Sequence, residues 1–225
     1  MVTALFGGGL AEYAVLADWE AAPKPKSLTF VESAAVPLAA LTAWQALIDT
    51  AKLSPEQTVL IHGGSGGVGS FAVQIARTRG AKVIATASPA NQDLLRKLGA
   101  DVAIDYTKTK FEEAAKNVDV ILDTVGGETL ARSYTLVKKG GIICSLRSGT
   151  DDAQLRKYGI RAAPIAVKPD GKELAEISAL IDAGKIKPEA SEVLPLTAAA
   201  KANEQAETHH TRGKIVLKIA DEPKA

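Results

Sequence analysis

The sequence predicts an α/β chain built on a doubly wound parallel sheet, and three observations predict it. A short apolar run, Thr58-Val59-Leu60-Ile61, leads into a glycine turn, and Val68, Phe71, Ala72, Ile75 and Ala76 then recur at helical spacing. From that point strand-like and helix-like segments alternate, which implies parallel strands joined by right-handed helical crossovers. Hydrophobic residues make up 46% of the 225 residues, enough to bury a sizeable core and too many for a disordered chain.

The elements follow in order. Residues 10–16, after Gly7-Gly8-Gly9, alternate like a strand, and residues 23–27 are a proline-lysine loop. Residues 30–51 carry one helical apolar pattern, with Ser33 a possible cap. After the glycine unit come a strand at 81–87, a helix at 91–98 stopped by Gly99, and a strand at 102–106. A short helix is expected at 111–116, a strand at 118–125, a helix at 128–137 and a strand at 141–146. A further strand at 160–167 and a helix at 172–183, stopped by Gly184, close the alternation. The tail breaks the rhythm: an extended stretch at 193–196, an alanine-rich helix at 198–207 and a strand at 214–219.

Composition excludes several classes. The formal net charge is +1 with both signs interspersed, which argues against a nucleic-acid or membrane-surface partner. Cys144 is the one cysteine, so a disulfide within the chain and a cysteine-rich zinc site are excluded. The N-terminus lacks a basic-then-apolar leader pattern, and residues 34–48 are interrupted by Pro37, Thr42 and Gln45, so they read as a core helix. A soluble chain in a reducing, cytoplasmic setting is expected.

Gly64, Gly66 and Gly69 spell G-x-G-x-x-G between a strand and a helix, the context that gives the pattern meaning. One glycine permits the turn, one lets backbone approach a pyrophosphate, and one lets helix and strand pack closely. The helix start then offers unpaired N–H groups and a positive dipole end to phosphate oxygens. A dinucleotide site follows. A carboxylate at the end of the second strand would bond the ribose diol of NAD. Here that strand ends Ala85-Thr86-Ala87-Ser88, then Pro89, and Ser88 could donate to a 2′-phosphate. NADPH is therefore favoured over NADH.

The run from His62 to Ala76, with Leu98-Gly99-Ala100-Asp101, Ile104-Asp105-Tyr106, Leu122-Asp123-Thr124-Val125-Gly126-Gly127, Arg212-Gly213-Lys214-Ile215-Val216-Leu217 and the helix holding Ala40-Leu41-Thr42-Ala43-Trp44, resembles the zinc-independent quinone oxidoreductase branch of the medium-chain dehydrogenases and reductases. The likeness runs from about Gly7 to Ile219. It implies a Rossmann domain over 31–190, a remnant of a GroES-like β-barrel domain over 1–30, and a return to that barrel over 191–225. It implies NADP(H) as cofactor and hydride transfer to a quinone or an α,β-unsaturated carbonyl. The alternative is a catalytically impaired nucleotide-binding or interaction module, or a fragment of a longer reductase, because most of the family's N-terminal barrel strands have no counterpart.

The resemblance also implies residue roles. The amides of Ser65, Gly66, Gly67 and Val68 would hold the pyrophosphate, with Ser88 and Asn91 at the 2′-phosphate and Tyr106 along the adenine ribose. Asn91 stands where many relatives carry lysine. Thr124 and Val125 would line the nicotinamide side, Thr42 and Leu146 would lie near the ring, and Arg212 would reach the cofactor from the tail. No catalytic side chain and no metal ligand is assigned. A homodimer through the strand edge at 161–167 is expected.

Other residues have structural readings. Tyr134 and Lys138 mimic a Y-x-x-x-K pair, but they fall too soon after the glycine loop, and a surface helix tyrosine is expected. His62 is read as satisfying a backbone group, His209-His210 as a solvated helix end, and Cys144 as a small buried apolar residue. Trp19 and Trp44 read as core or interface residues, and Asp123 as a holder of loop backbone near the cofactor.

Overall fold

Strands β1 (Thr58–His62), β2 (Lys82–Ala87), β3 (Val102–Asp105), β4 (Val118–Asp123), β5 (Val137–Ser145) and β6 (Arg161–Pro164) form one sheet, ordered β3-β2-β1-β4-β5-β6 with every pairing parallel. The sequence order reverses between β1 and β4, the switch point at which such sheets bind ligands. The computed structural model describes residues 9–147 and 149–221. Contacts divide the chain into two units, residues 42–166, which hold the sheet, and residues 1–41 with 167–225.

Local chemistry explains the helices of the first unit. α3 (Gly67–Thr78) follows Gly66 and buries Phe71, Ala72, Val73, Ile75 and Ala76 along its inner face. α4 (Gln92–Leu98) buries Leu94, Leu95 and Leu98 and ends at Gly99. α5 (Phe111–Ala114) and α6 (Gly127–Ser133) are short, and α6 passes directly into a 3-10 turn, Tyr134–Leu136. One face of the sheet carries an apolar row, Val102, Ile84, Leu60, Ile121 and Ile143, joined by Ile104 and packed with Phe111, Leu130 and Tyr134. Such rows come from the period of two along each strand, repeated in register across neighbours.

Several expectations need correction. The pattern at 30–51 is not one helix. α1 (Phe30–Ala34) is followed by α2 (Pro37–Trp44) and a π-helical segment, Gln45–Thr50. Pro37 has no N–H to continue the earlier helix but suits a first turn. The cap of α1 is Thr29, whose hydroxyl accepts the Glu32 N–H, while Ser33 is buried inside the helix. No strand forms at 10–16, where Tyr13 is 89% and Val15 102% exposed. Alternation alone makes no ladder without a neighbour to pair with. Gly7 and Gly8 lie outside the described residues.

β5 starts earlier than expected. Val118 faces Val137, whereas Val120 already faces Ile142, so Lys138 to Gly141 bulge out of the ladder. A helix absent from the expectations, α7 (Asp152–Tyr158), fills the connection to β6, with the Asp151 carboxylate capping the N–H groups of Ala153 and Gln154.

In the second unit, α8 (Gly171–Asp182) is capped by Asp170 and buries Leu174, Ile177 and Ile181. Asp182 accepts the N–H groups of Lys26 and Ser27 and the Ser27 hydroxyl, which holds its carboxyl below the usual range. The tail forms β7 (Ala190–Pro195), α9 (Ala199–Glu207) and β8 (Lys214–Lys218), and β7 and β8 pair in parallel as a two-stranded sheet. Trp19 is exposed and Trp44 buried. Among the described residues, no helix is long and apolar enough to cross a membrane.

Candidate dinucleotide site

The carboxyl ends of five parallel strands fix the site. β1 runs into the glycine turn, and Ser88, Tyr106, Thr124 and Leu146 each lie one residue beyond the ends of β2, β3, β4 and β5. One edge of the sheet therefore gathers residues whose sequence positions are scattered over eighty places. All belong to the first unit, as does Thr42, which is buried on α2.

The turn divides its labour among glycines differently from the expectation. The left-handed position is Gly63, φ +71°, just before the motif. Gly64 is packed tightly, since a Cβ there would meet Leu95 Cδ2 at 2.8 Å and Ala85 Cβ at 2.9 Å. At Gly69 a Cβ would stand 2.1 Å from the Gly63 carbonyl oxygen, so this glycine is what lets α3 lie against the turn. At Gly66 the nearest atom is that same carbonyl oxygen at 3.4 Å. Gly66 caps α3, and the first main-chain bond beyond it runs from Ser70 N–H to Gly66 C=O. The amides of Gly67, Val68 and Gly69 therefore precede any intrahelical acceptor and suit an anion, whereas the Gly66 N–H, expected among them, is already donated to the Gly63 carbonyl at 3.0 Å.

Two buried polar groups brace this edge. The Asp123 carboxylate is fully buried and accepts the N–H groups of Val125 (3.1 Å) and Gly126 (2.9 Å) and the Ser145 hydroxyl (3.0 Å). Its carbonyl accepts the Leu146 N–H at 3.0 Å. Asp123 thus ties Thr124, Val125 and Leu146 to one another, in keeping with its reading as a holder of loop backbone. Thr124 is fixed further by its own hydroxyl, which donates to the His62 carbonyl at 2.8 Å.

His62 is also fully buried, but its ring satisfies hydroxyls rather than a backbone group. Ser133 Oγ donates to the Thr129 carbonyl at 2.6 Å, so it accepts from His62 Nε2–H at 3.0 Å. Nδ1 then accepts from Thr86 Oγ1 at 3.3 Å, and that oxygen accepts the Gly63 N–H at 3.3 Å. The bonds run in one direction from the glycine turn to α6, and they specify a neutral imidazole. Phe111 lies edge-on to the ring at 4.7 Å, with the Arg132 guanidinium over the Phe111 ring. Burial holds the His62 pKa down at about 4, with the Asp123 and Glu112 charges opposing and Arg132 assisting.

A stability slope follows. The unfolded imidazole protonates near 6.5 and the folded one near 4, so the stabilisation is complete above pH 6.5 and is lost as pH falls towards 4. Wild type should lose about 3 kcal/mol more than His62→Gln over that interval, read from urea unfolding at each pH. Equal slopes would contradict the assignment.

At the end of β2, Asn91 Nδ2 donates to Ser88 Oγ at 3.0 Å, so the structure brings these two predicted residues together. Gln92, which the sequence did not single out, donates from Nε2 to the carbonyls of Ala87 (2.9 Å), Ser88 (3.2 Å) and Ile104 (3.2 Å). Tyr106 is half exposed. Arg212 belongs to the second unit, where its guanidinium bonds Glu189 at 3.0 Å.

The decoys resolve structurally. Tyr134 is buried rather than on the surface, and its hydroxyl accepts the Asp151 N–H at 2.8 Å, while Lys138 pairs with Asp119 at 2.9 Å. Tyr134→Phe should cost about 1 kcal/mol of stability and leave cofactor affinity unchanged, which thermal melts and a binding titration will show. Lost binding would restore a role for the pair. Cys144 is buried, its thiol donating to the Ala46 carbonyl at 3.5 Å, and burial pushes its pKa up to about 12. His209 and His210 are exposed beyond α9. Among the described residues no group of three or more His, Cys, Asp or Glu side chains could hold a metal.

Known proteins are similar to this chain in sequence and fold. The family model described as "Zinc-binding dehydrogenase" matches residues 98–217, more than half of the chain. NAD(P)H oxidoreductase RTN4IP1, mitochondrial, of Danio rerio is 36% identical over 249 residues, covering 96% of this chain and 64% of that protein. NADPH-dependent alkenal/one oxidoreductase, chloroplastic, of Arabidopsis thaliana is 35% identical over 214 residues, covering 93% and 53%. The quinone oxidoreductase structure from Coxiella burnetii superposes with a TM-score of 0.82 at 35% identity, covering 88% of this chain and 63% of that one. The chain spans less than two thirds of the length of each. On the family match and these shared strands, turn and helices, the chain belongs to the zinc-binding dehydrogenase family, within the medium-chain dehydrogenases and reductases.

Proposed function

We propose that this chain binds NADP(H) and serves an oxidoreductase that passes hydride to a quinone or an α,β-unsaturated carbonyl. The observation that carries the reading is the sheet edge itself: a glycine turn with open helix-start amides, and a β2 end that offers Ser88 and Asn91 and no carboxylate. A 2′-phosphate dianion would meet donors at Ser88 and Asn91, whereas NAD sites place an acid at the end of the second strand on the ribose diol. The names of the Arabidopsis and Coxiella relatives supply the substrate classes.

Bound NADPH would supply the hydride, becoming NADP+ as an enone gains hydride at its β-carbon and a proton from water at its α-carbon. The chain's contribution is positioning. Gly67, Val68 and Gly69 amides would hold the pyrophosphate, and the Asp123-braced segment Thr124–Val125 with Leu146 would orient the nicotinamide side. We assign no acid-base side chain, since His62 is neutral and enclosed. Arg212 would have to leave Glu189 to reach a cofactor. Zinc, which the family's description implies, does not fit the described residues: His62 is taken up by two hydroxyls and no three-donor group exists. No step is routed through a metal.

A homodimer through β6, the edge strand of the sheet, belongs to the same proposal, and light scattering tests it. The lone buried thiol suits a reducing compartment, whether cytoplasmic or the organelles named for the Danio and Arabidopsis proteins. The deciding experiment is a fluorescence titration with NADPH beside NADH, followed by a turnover screen with quinones and enones. Saturable NADPH-preferring binding supports the reading. Absent binding favours an impaired module, and equal or tighter NADH binding overturns the cofactor preference.

A further inference from the structure

We propose that Gln92 is a specificity-determining positioning residue, whose side-chain amide sets the β2 and β3 ends so that Ser88 and Asn91 present their donors as one seat for a 2′-phosphate. The inference rests on the NADP(H) reading above. The ladder between β2 and β3 stops at Ala87 and Asp105, and Ser88 and Tyr106 stand one residue beyond it. The Gln92 amide bonds across that end, from Nε2 to the carbonyls of Ala87 and Ser88 on one side and Ile104 on the other. Two N–H protons serve three carbonyl oxygens, so the group is saturated as a donor and its place is set by both strands. Gln92 is the first residue of α4, so the same bonds fix how that helix begins.

The neighbouring bond has a directional consequence. Asn91 Nδ2 donates to Ser88 Oγ, which occupies that oxygen as acceptor and leaves the serine proton to be donated outward. The second Nδ2 proton of Asn91 is likewise a donor. A dianionic phosphate accepts only, so a seat of oriented donors suits it, while a 2′-hydroxyl gains little from the same geometry. Ser88 can hold that orientation only while its backbone is held, and the Gln92 amide bonds the Ser88 carbonyl directly. The pyrophosphate seat is at the start of α3, a separate element, so the inference concerns selectivity and not general affinity.

The test compares wild type with Gln92→Met, which keeps length without donors, and Gln92→Glu, which keeps shape but sets a carboxylate against three carbonyls. NADPH and NADH are titrated by fluorescence, and adenosine 2′,5′-bisphosphate and 5′-AMP by calorimetry, with melting curves to verify folding. The expected result is about a tenfold loss for NADPH and the bisphosphate in Gln92→Met, a larger loss in Gln92→Glu, and changes within about twofold for NADH and 5′-AMP. Parallel losses for both members of each pair, or no loss in either variant, would overturn the role of Gln92 while leaving the cofactor reading standing. A wild type without NADPH preference would overturn the reading and the inference together.

Discussion

Gly69→Ala is expected to abolish cofactor binding and to destabilise the chain by about 3 kcal/mol, because the added methyl collides with backbone rather than with a side chain. Its Cβ would lie 2.1 Å from the Gly63 oxygen and 2.7 Å from Gly64 Cα, and neither can rotate away. Relief requires α3 to back off the turn, which carries the open amides of Gly67 and Val68 with it. Gly66→Ala separates the two effects. Its Cβ meets only the Gly63 oxygen at 3.4 Å, so folding should change by less than about 1 kcal/mol. NADPH affinity should still fall, since the methyl occupies the face that a pyrophosphate approaches. Melting curves and titrations on both variants decide. Equal destabilisation by the two would refute the division of roles.

Asp123→Ala carries the second large effect. The carboxylate satisfies two amides and a hydroxyl in a fully buried position, so truncation strands three donors at once. A loss of about 3–5 kcal/mol is expected from urea unfolding, with Asp123→Asn intermediate because its amide oxygen still accepts. Those donors belong to the β4 and β5 ends, so both variants should weaken nicotinamide-dependent fluorescence more than binding of 5′-AMP. A surface-like effect below about 1 kcal/mol would show that the brace is dispensable.

The strand-turn-helix unit and five further strands were legible because burial on both faces writes short apolar runs, such as Val59 to Ile61 and Val120 to Leu122, into sequence. Ser88 stands out in the sequence because it follows the end of such a run, whereas Tyr106, Thr124 and Leu146 were named through the family resemblance and are found one residue beyond the ends of β3, β4 and β5. What stayed hidden depends on partners far away in the chain. α7 has no buried residue, and its start depends on the Asp151 cap and the Tyr134 hydroxyl, so periodicity could not announce it. The His62 chain joins Gly63, Thr86 and Ser133, residues that carry no common motif until the sheet aligns them. Gln92 read as one more polar helix residue, because its three carbonyl partners become neighbours only when β3 docks beside β2.

The enclosure of Cys144 makes the protein convenient to instrument. Alkylating reagents attack the thiolate, and a thiol that ionises only near pH 12 and lies beneath the surface presents almost none at neutral pH. With no second cysteine in the chain, a single introduced thiol would be the sole address for a dye or spin label. Lys97→Cys, on the exposed last turn of α4, would carry such a reporter on the helix that follows β2 without disturbing the native sulfur.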